Sequence, residues 1–207
     1  MKKLEKYYTL RKNYLEMLYR RGYNVKESEF YLTYNDYKQN IMNYSAYHKI
    51  FKLYYNISNT KEKVCIIIEI IGFVKIKKKF SSLYITKKLE ISLTLGSKHI
   101  IFIIKKISTN ALRALQIGRK NYYFEIFYEY EVLLNVIKHF LVPKHDMLTK
   151  EEKSILLKNY MIKESQLPKI LKSDPVSRYY GAKKGDVFKI TRFSDSIGVY
   201  VTFRLCV

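Results

Sequence analysis

His139 and His145 stand six positions apart, with Asp146 directly after the second. Imidazole and carboxylate are metal-ligand types, but a closed site needs four ligands at tighter spacing, and nothing nearby supplies them. His145 therefore reads as a structural or interface residue, and no metal or other cofactor is expected. The two cysteines, Cys65 and Cys206, offer neither a zinc spacing nor a disulfide framework, and a reducing compartment is the simple expectation. A second chemistry open to a small basic domain is metal-assisted phosphodiester cleavage. It requires carboxylates on adjacent strands and an acid two places before a lysine. Glu69 is followed by Ile70 and Ile71, and the residue two places before Lys75 is Phe73. The constellation is missing, so no catalytic residue is expected.

What the chain has in excess is positive charge. Its 207 residues hold 39 Lys and Arg against 18 Asp and Glu, a net +21 that favours polyanions or an acidic protein partner. Residues 1–140 carry most of it, with 26 basic and 11 acidic side chains. Lys, Ile, Asn and Tyr are all abundant and share AT-rich codons, which discounts the lysine count. The stretches "KIKKK" (Lys75–Lys79) and "GRKN" (Gly118–Asn121) can approach phosphates, a contact that positions a duplex without reading it. For Lys75–Lys79 a solvated surface face is the plainer reading. The tyrosine-rich "NYYFEIFYEYE" invites a base-stacking reading. Glu125, Glu129 and Glu131 would oppose nucleic acid there, so a strand packed against helices is the better use.

Periodicity places these residues on elements. Leu4, Tyr8, Leu15, Leu18 and Tyr19 keep a helical spacing to about Arg21, where Gly22 can stop the helix. A second helix is expected from Glu29 to about Gln39. Residues 40–62 give no clear signal. Val64–Ile71 and Phe73–Phe80 read as strands, 82–93 as a helix, and "HIIFII" (His99–Ile104) as a strand covered on both faces. A helix over Thr109–Ile117 ends at Gly118, and Tyr122–Tyr128 is an aromatic strand. Alternating strands and helices imply a small α/β domain with a mixed sheet. The N-terminus lacks the apolar core of a signal peptide, and Val64–Val74 is too short to span a bilayer.

The last third is more sharply punctuated. "LTKEE" contains a capping box between Thr149 and Glu152, opening a helix to about Tyr160. In "SDPVSRYYG", Asp174 is a natural N-cap, Pro175 suits the first helical position and Gly181 suits the turn beyond the end. Strands follow at Val187–Arg192 and, after "FSDSIG", through the terminal "VYVTFRLCV". Val201, Phe203, Leu205 and Val207 share one face of that last strand, and Tyr200, Thr202 and Arg204 share the other. The fold class is α+β, with domains at 1–135 and 136–207.

From Leu133 onward the ordered series "LLNVIKHFLVPKH", "LTKEE", "SQLPKI", "SDPVSRYYGAKKGDVFKITR" and "YVTFRL" resembles the shared fifth subunit of eukaryotic DNA-dependent RNA polymerases, a family whose archaeal members lack the region before this series. "RRGYNV" after the first helix extends a looser resemblance into the first 130 residues. "RFSDSIGVY" departs from the family's usual Pro, Thr and Arg in that loop. The resemblance implies a jaw-like N-terminal domain near downstream double-stranded DNA and a C-terminal assembly module docking on the largest subunit, which with the second largest holds the catalytic magnesium ions. It implies work in a nucleus, or in a cytoplasmic factory or virion for a viral enzyme, and no membrane partner. The matching positions are Leu141, Pro143, His145, Pro168, Asp174, Pro175, Arg178, Tyr179, Arg192, Tyr200 and Arg204. Capping alone accounts for Asp174, Pro175 and Gly181; Arg178, Arg192 and Arg204 are better contact candidates, because guanidinium forks suit carboxylates and carbonyls. Arg113, Arg119 and Lys120 flank the helix and turn that the family places nearest the duplex. The rival reading is a stand-alone basic nucleic-acid-binding factor that borrowed the C-terminal module.

Overall fold

A computed structural model describes residues 3–43, 99–105, 107, 109–118 and 123–207. The strands expected at 64–71 and 73–80 and the helix expected at 82–93 lie outside the described residues. So do Cys65, Lys75–Lys79, Arg119 and Lys120. The chain divides into two compact units, Met1–Leu133 and Leu134–Val207.

The first unit opens with helix α1 (Lys3–Arg20). Tyr7, Leu10, Tyr14, Leu15, Met17 and Leu18 recur at three- and four-residue intervals and are all buried, so one face of α1 is core. Gly22, at φ 82°, turns the chain out of the helix, a conformation that a side chain would strain. The single helix expected from Glu29 is in fact two: α2 (Glu27–Phe30) and α3 (Tyr34–Asn43). The break is written in "LTYND". Thr33 Oγ1 accepts the Asp36 amide (3.2 Å), and the Asp36 carboxylate accepts the Thr33 amide (3.3 Å) and hydroxyl (2.6 Å), a reciprocal cap that starts a new helix. Arg11 donates to the Glu29 carbonyl (2.9 Å) and Tyr8 to that of Leu32 (2.8 Å), pinning the break to α1.

Strand β1 (His99–Ile104) pairs in parallel with β2 (Tyr123–Tyr128) over six residue pairs. Helix α4 (Thr109–Gly118) lies in the crossover that a parallel pair requires. Ile100 to Ile104 are all buried, so β1 is covered on both faces as its unbroken apolar run predicts. Helix α5 (Glu129–Leu134) follows β2 directly. The Glu131 carboxylate accepts the Tyr128 amide (2.8 Å), and Asn13 on α1 donates to the Val132 and Leu133 carbonyls (2.9 and 3.0 Å).

The second unit is a four-stranded sheet in the order β3–β5–β6–β4. Its strands are β3 (Lys144–Met147), β4 (Lys169–Ile170), β5 (Val187–Ser194) and β6 (Gly198–Cys206). Helix α6 (Lys150–Tyr160) carries the expected capping box, with the Thr149 amide donating to Glu152 (2.8 Å) and the Glu152 amide to Thr149 (3.2 Å). Helix α7 (Pro175–Tyr180) is capped by Asp174 and closed by Gly181 at φ 66°, as its sequence predicts. Leu156, Leu157, Leu167, Val187, Phe203, Leu205 and Val207 form the core on the α6 face of the sheet. Ile170, Tyr180, Ala182, Phe188, Ile190 and Cys206 form it on the α7 face. Phe203, Leu205 and Val207 therefore share a buried face as expected, but Val201 on that face is 43 % exposed. The alternation holds, and the helix that covers it stops short. The β5–β6 hairpin also runs two residues further than expected on the β5 side, to Ser194.

Candidate functional site

Side chains directly opposed across a sheet share a face. Ile190 on β5 faces His145 on β3 and Thr202 on β6; Phe188 faces Met147 and Arg204; Arg192 faces Tyr200. With the two-residue period, four of the sequence-singled positions, His145, Arg192, Tyr200 and Arg204, fall on the single face that α7 packs against. Asp174 is at the start of that helix and Arg178 and Tyr179 are within it.

Their local roles differ. His145 and Tyr179 are buried within the unit, which for His145 fits the structural half of its expected role. The His145 Nδ1–H donates to the Pro143 carbonyl (2.7 Å), its ring lies edge-on to Phe188, and its own carbonyl accepts the Tyr180 hydroxyl (2.7 Å). Burial holds this imidazole below its ordinary pKa. The Pro143 bond and the Asp174 charge oppose that, and the Arg192 and Arg204 charges add to it. Asp174 is committed as a cap, accepting the Val176 amide (2.8 Å), and Pro175 fills the first helical position exposed to solvent. The Pro168 carbonyl accepts the Leu205 amide (2.7 Å), and Leu141 stands exposed before β3.

The arginines are the positions with chemistry to spare. Arg192 is half-buried; its Nε is shut off from solvent without a hydrogen-bond partner among the described residues, and its terminal nitrogens are not sealed in with it. Arg204, also half-buried, makes one long contact from Nη1 to the Lys169 carbonyl (3.5 Å). A guanidinium has five donors and no acceptor, so the terminal nitrogens of both arginines can take an incoming carboxylate or carbonyl. Among the described residues no three His, Cys, Asp or Glu side chains come together as a metal site, and no described helix is long and apolar enough to cross a membrane.

In the first unit, Arg113 is exposed on α4. Sequence reasoning missed a buried charged cluster there. Arg21 grips Glu125 through two parallel bonds (2.9 and 2.7 Å), His99 Nε2 meets the same carboxylate (2.8 Å), and Tyr23 reaches His99 Nδ1 (3.0 Å). The Arg21 and Glu125 side chains are 4 % and 12 % exposed. Burial pushes the Glu125 carboxyl up, but the His99 hydrogen bond and the Arg21 charge and hydrogen bonds outweigh it, holding its pKa at about 2. Glu129 pairs with Lys6 (3.0 Å). The acids of the tyrosine-rich stretch are thus used inside the unit. One signal pointed to this: a carboxylate in mid-strand between aromatic residues must find a cation.

Residues 134–206 match the family model "RNA polymerase Rpb5, C-terminal domain", and residues 1–81 match "RNA polymerase Rpb5, N-terminal domain". An Arabidopsis thaliana protein, "DNA-directed RNA polymerase V subunit 5A", is 32 % identical over 207 residues, covering 96 % of this chain and 87 % of that protein. The chain belongs to the RNA polymerase Rpb5 family. Two shorter similarities agree. The Dictyostelium discoideum protein "DNA-directed RNA polymerases I, II, and III subunit rpabc1" is 48 % identical over 114 residues, 54 % of this chain and 58 % of that one. The Caenorhabditis elegans "DNA-directed RNA polymerases I, II, and III subunit RPABC1" is 41 % identical over 111 residues, 54 % and 53 %. In these two alignments the chain spans little more than half the length of its relative. Because Rpb5 models match both ends of the chain, a C-terminal module borrowed by an unrelated basic factor is not the favoured reading.

Proposed function

We propose that this Rpb5-family chain works as a non-catalytic subunit of a multisubunit DNA-dependent RNA polymerase. Its C-terminal unit docks on the largest subunit, and its basic N-terminal unit supports downstream double-stranded DNA without reading sequence. The observation that carries the docking reading is the α7 face of the sheet, where Arg192 and Arg204 sit half-covered with donors unspent. Polymerase subunits are the expected partners, and the workplace is the nucleus, or a cytoplasmic factory or virion if the enzyme is viral. RNA synthesis itself falls to the two largest subunits.

The test is affinity recovery of the tagged chain from its native cells. Wild type should bring down the two largest subunits in stoichiometric amount. Reversing charge at Arg178 and Arg204 together should abolish that recovery while the free chain keeps its far-ultraviolet spectrum. A folded double variant that still assembles refutes the docking reading. For the DNA role, reversing Arg119 and Lys120 should weaken retention of the assembled enzyme on a duplex, most at low salt, and should flatten its salt dependence, as loss of phosphate contacts demands. Unchanged retention at low salt removes that claim.

A further inference from the structure

β6 is hydrogen-bonded to β5 along its whole length, but β4 covers only Leu205 and Cys206 on its other side. The direction of each backbone group follows from two bonds. The Leu205 amide donates toward β4, to Pro168 (2.7 Å), and the Cys206 amide donates toward β5, to Asp186 (2.7 Å). Alternation then turns the amides and carbonyls of Val199, Val201 and Phe203 away from β5, and they have no partner among the described residues. Folded proteins usually blunt such an edge with a charge, a proline or a bulge. The segment Val199–Tyr200–Val201–Thr202–Phe203 has none of these and is composed of strand-favouring residues.

The two faces beside this edge differ. On the α6 side, Phe193 lies opposite Val199, and Phe193, Val199 and Val201 are 87 %, 55 % and 43 % exposed. On the α7 side stand Arg192, Tyr200 and Arg204, with the spare guanidinium donors described above. A strand laid along β6 would alternate between these two environments residue by residue.

We propose that the open edge of β6, Val199 to Phe203, receives an added strand from a partner chain, an extended segment in which apolar residues alternate with acidic ones. The backbone ladder supplies the attachment, the apolar residues cover Phe193, Val199 and Val201, and the carboxylates meet Arg192 and Arg204. This deepens the docking reading above and rests on it.

Amide hydrogen exchange, compared between the free full-length chain and the assembled enzyme, separates the two claims. Strand addition slows exchange of the peptide spanning 198–204 at least about tenfold on assembly. Slowing confined to α7 and the surrounding loops leaves docking intact and overturns strand addition; no slowing in either segment overturns both. Slowing that appears in the free chain as its own concentration rises assigns the edge to a second copy and also overturns the proposal. Val201→Pro removes one outward amide without taking a bond from the β5–β6 ladder, while Val201→Thr keeps that amide. With both variants folded by their far-ultraviolet spectra, V201P should lose at least about tenfold in recovery of the largest subunit and V201T should keep it, because proline ends ladder pairing at an edge. Equal recovery of the two variants refutes the pairing.

Discussion

The two units use arginine in opposite ways. In the first, Arg21 is sealed inside, its fork closed on Glu125, which also accepts from His99. In the second, Arg192 and Arg204 are half-covered and under-used. A guanidinium whose donors are consumed internally is part of the architecture. One held in place with donors left over is prepared for something outside. The contrast also separates two kinds of mutational outcome: loss of folding in the first case, loss of association in the second.

The sharpest way to break that comparison is Arg21→Met. It leaves the Glu125 carboxylate buried without its main cation, and a broken buried pair costs about 3–5 kcal/mol. Urea denaturation followed in the first unit should show a loss of that order, while Arg204→Met should change the stability of the second unit by less than about 0.5 kcal/mol. Similar losses from both would erase the distinction.

Acid titration comes next. Glu125 has a folded pKa of about 2 against an ordinary 4.5, so its contribution is fully present above pH 4.5 and is lost as pH falls toward 2. The shift corresponds to about 3 kcal/mol. Stability of the wild type should fall over that window, and Glu125→Gln, already weaker at neutral pH, should show a flatter profile there. A wild-type curve as flat as the variant's would mean that the carboxylate is not held by Arg21 and His99 in solution.

The smallest effect sharpens the role of the caps. Asp174→Ala removes the bond to the Val176 amide and should cost the second unit about 1 kcal/mol in thermal or urea unfolding. It should leave recovery of the polymerase subunits unchanged, since Asp174 is spent on the helix. A recovery defect without a stability defect would move Asp174 from scaffold to contact.

Much of the second unit was legible because its instructions are local. Thr149 and Glu152 are three residues apart, and Asp174, Pro175 and Gly181 bracket one short helix, so neighbouring residues state both ends. The alternation in β6 was legible too, but not where its cover ends, because Tyr160 packs near Phe203 and no residue of α6 is required by the sequence of β6 to reach Val201. The same limit hid the cluster in the first unit. Arg21 and Glu125 are 104 positions apart, and only the fold brings them together. The break at Thr33 was a different kind of miss, since "TYND" carries a local cap that a continuous helical period concealed. The arginines of the docking face were legible as residues. Their placement on one face with Tyr200 needed the register of β3, β5 and β6.

The strand order β3–β5–β6–β4 has a kinetic consequence. β5 and β6 are joined by a tight hairpin, whereas β3 and β4 must be gathered from across α6 and α7. The hairpin is the inexpensive first step in loop-closure entropy, and each outer strand adds a longer loop. A topology weighted toward such non-local pairings folds in roughly milliseconds to seconds, not microseconds. During that interval the hairpin carries two bare edges, and the nascent unit depends on β3 and β4 arriving before another chain does.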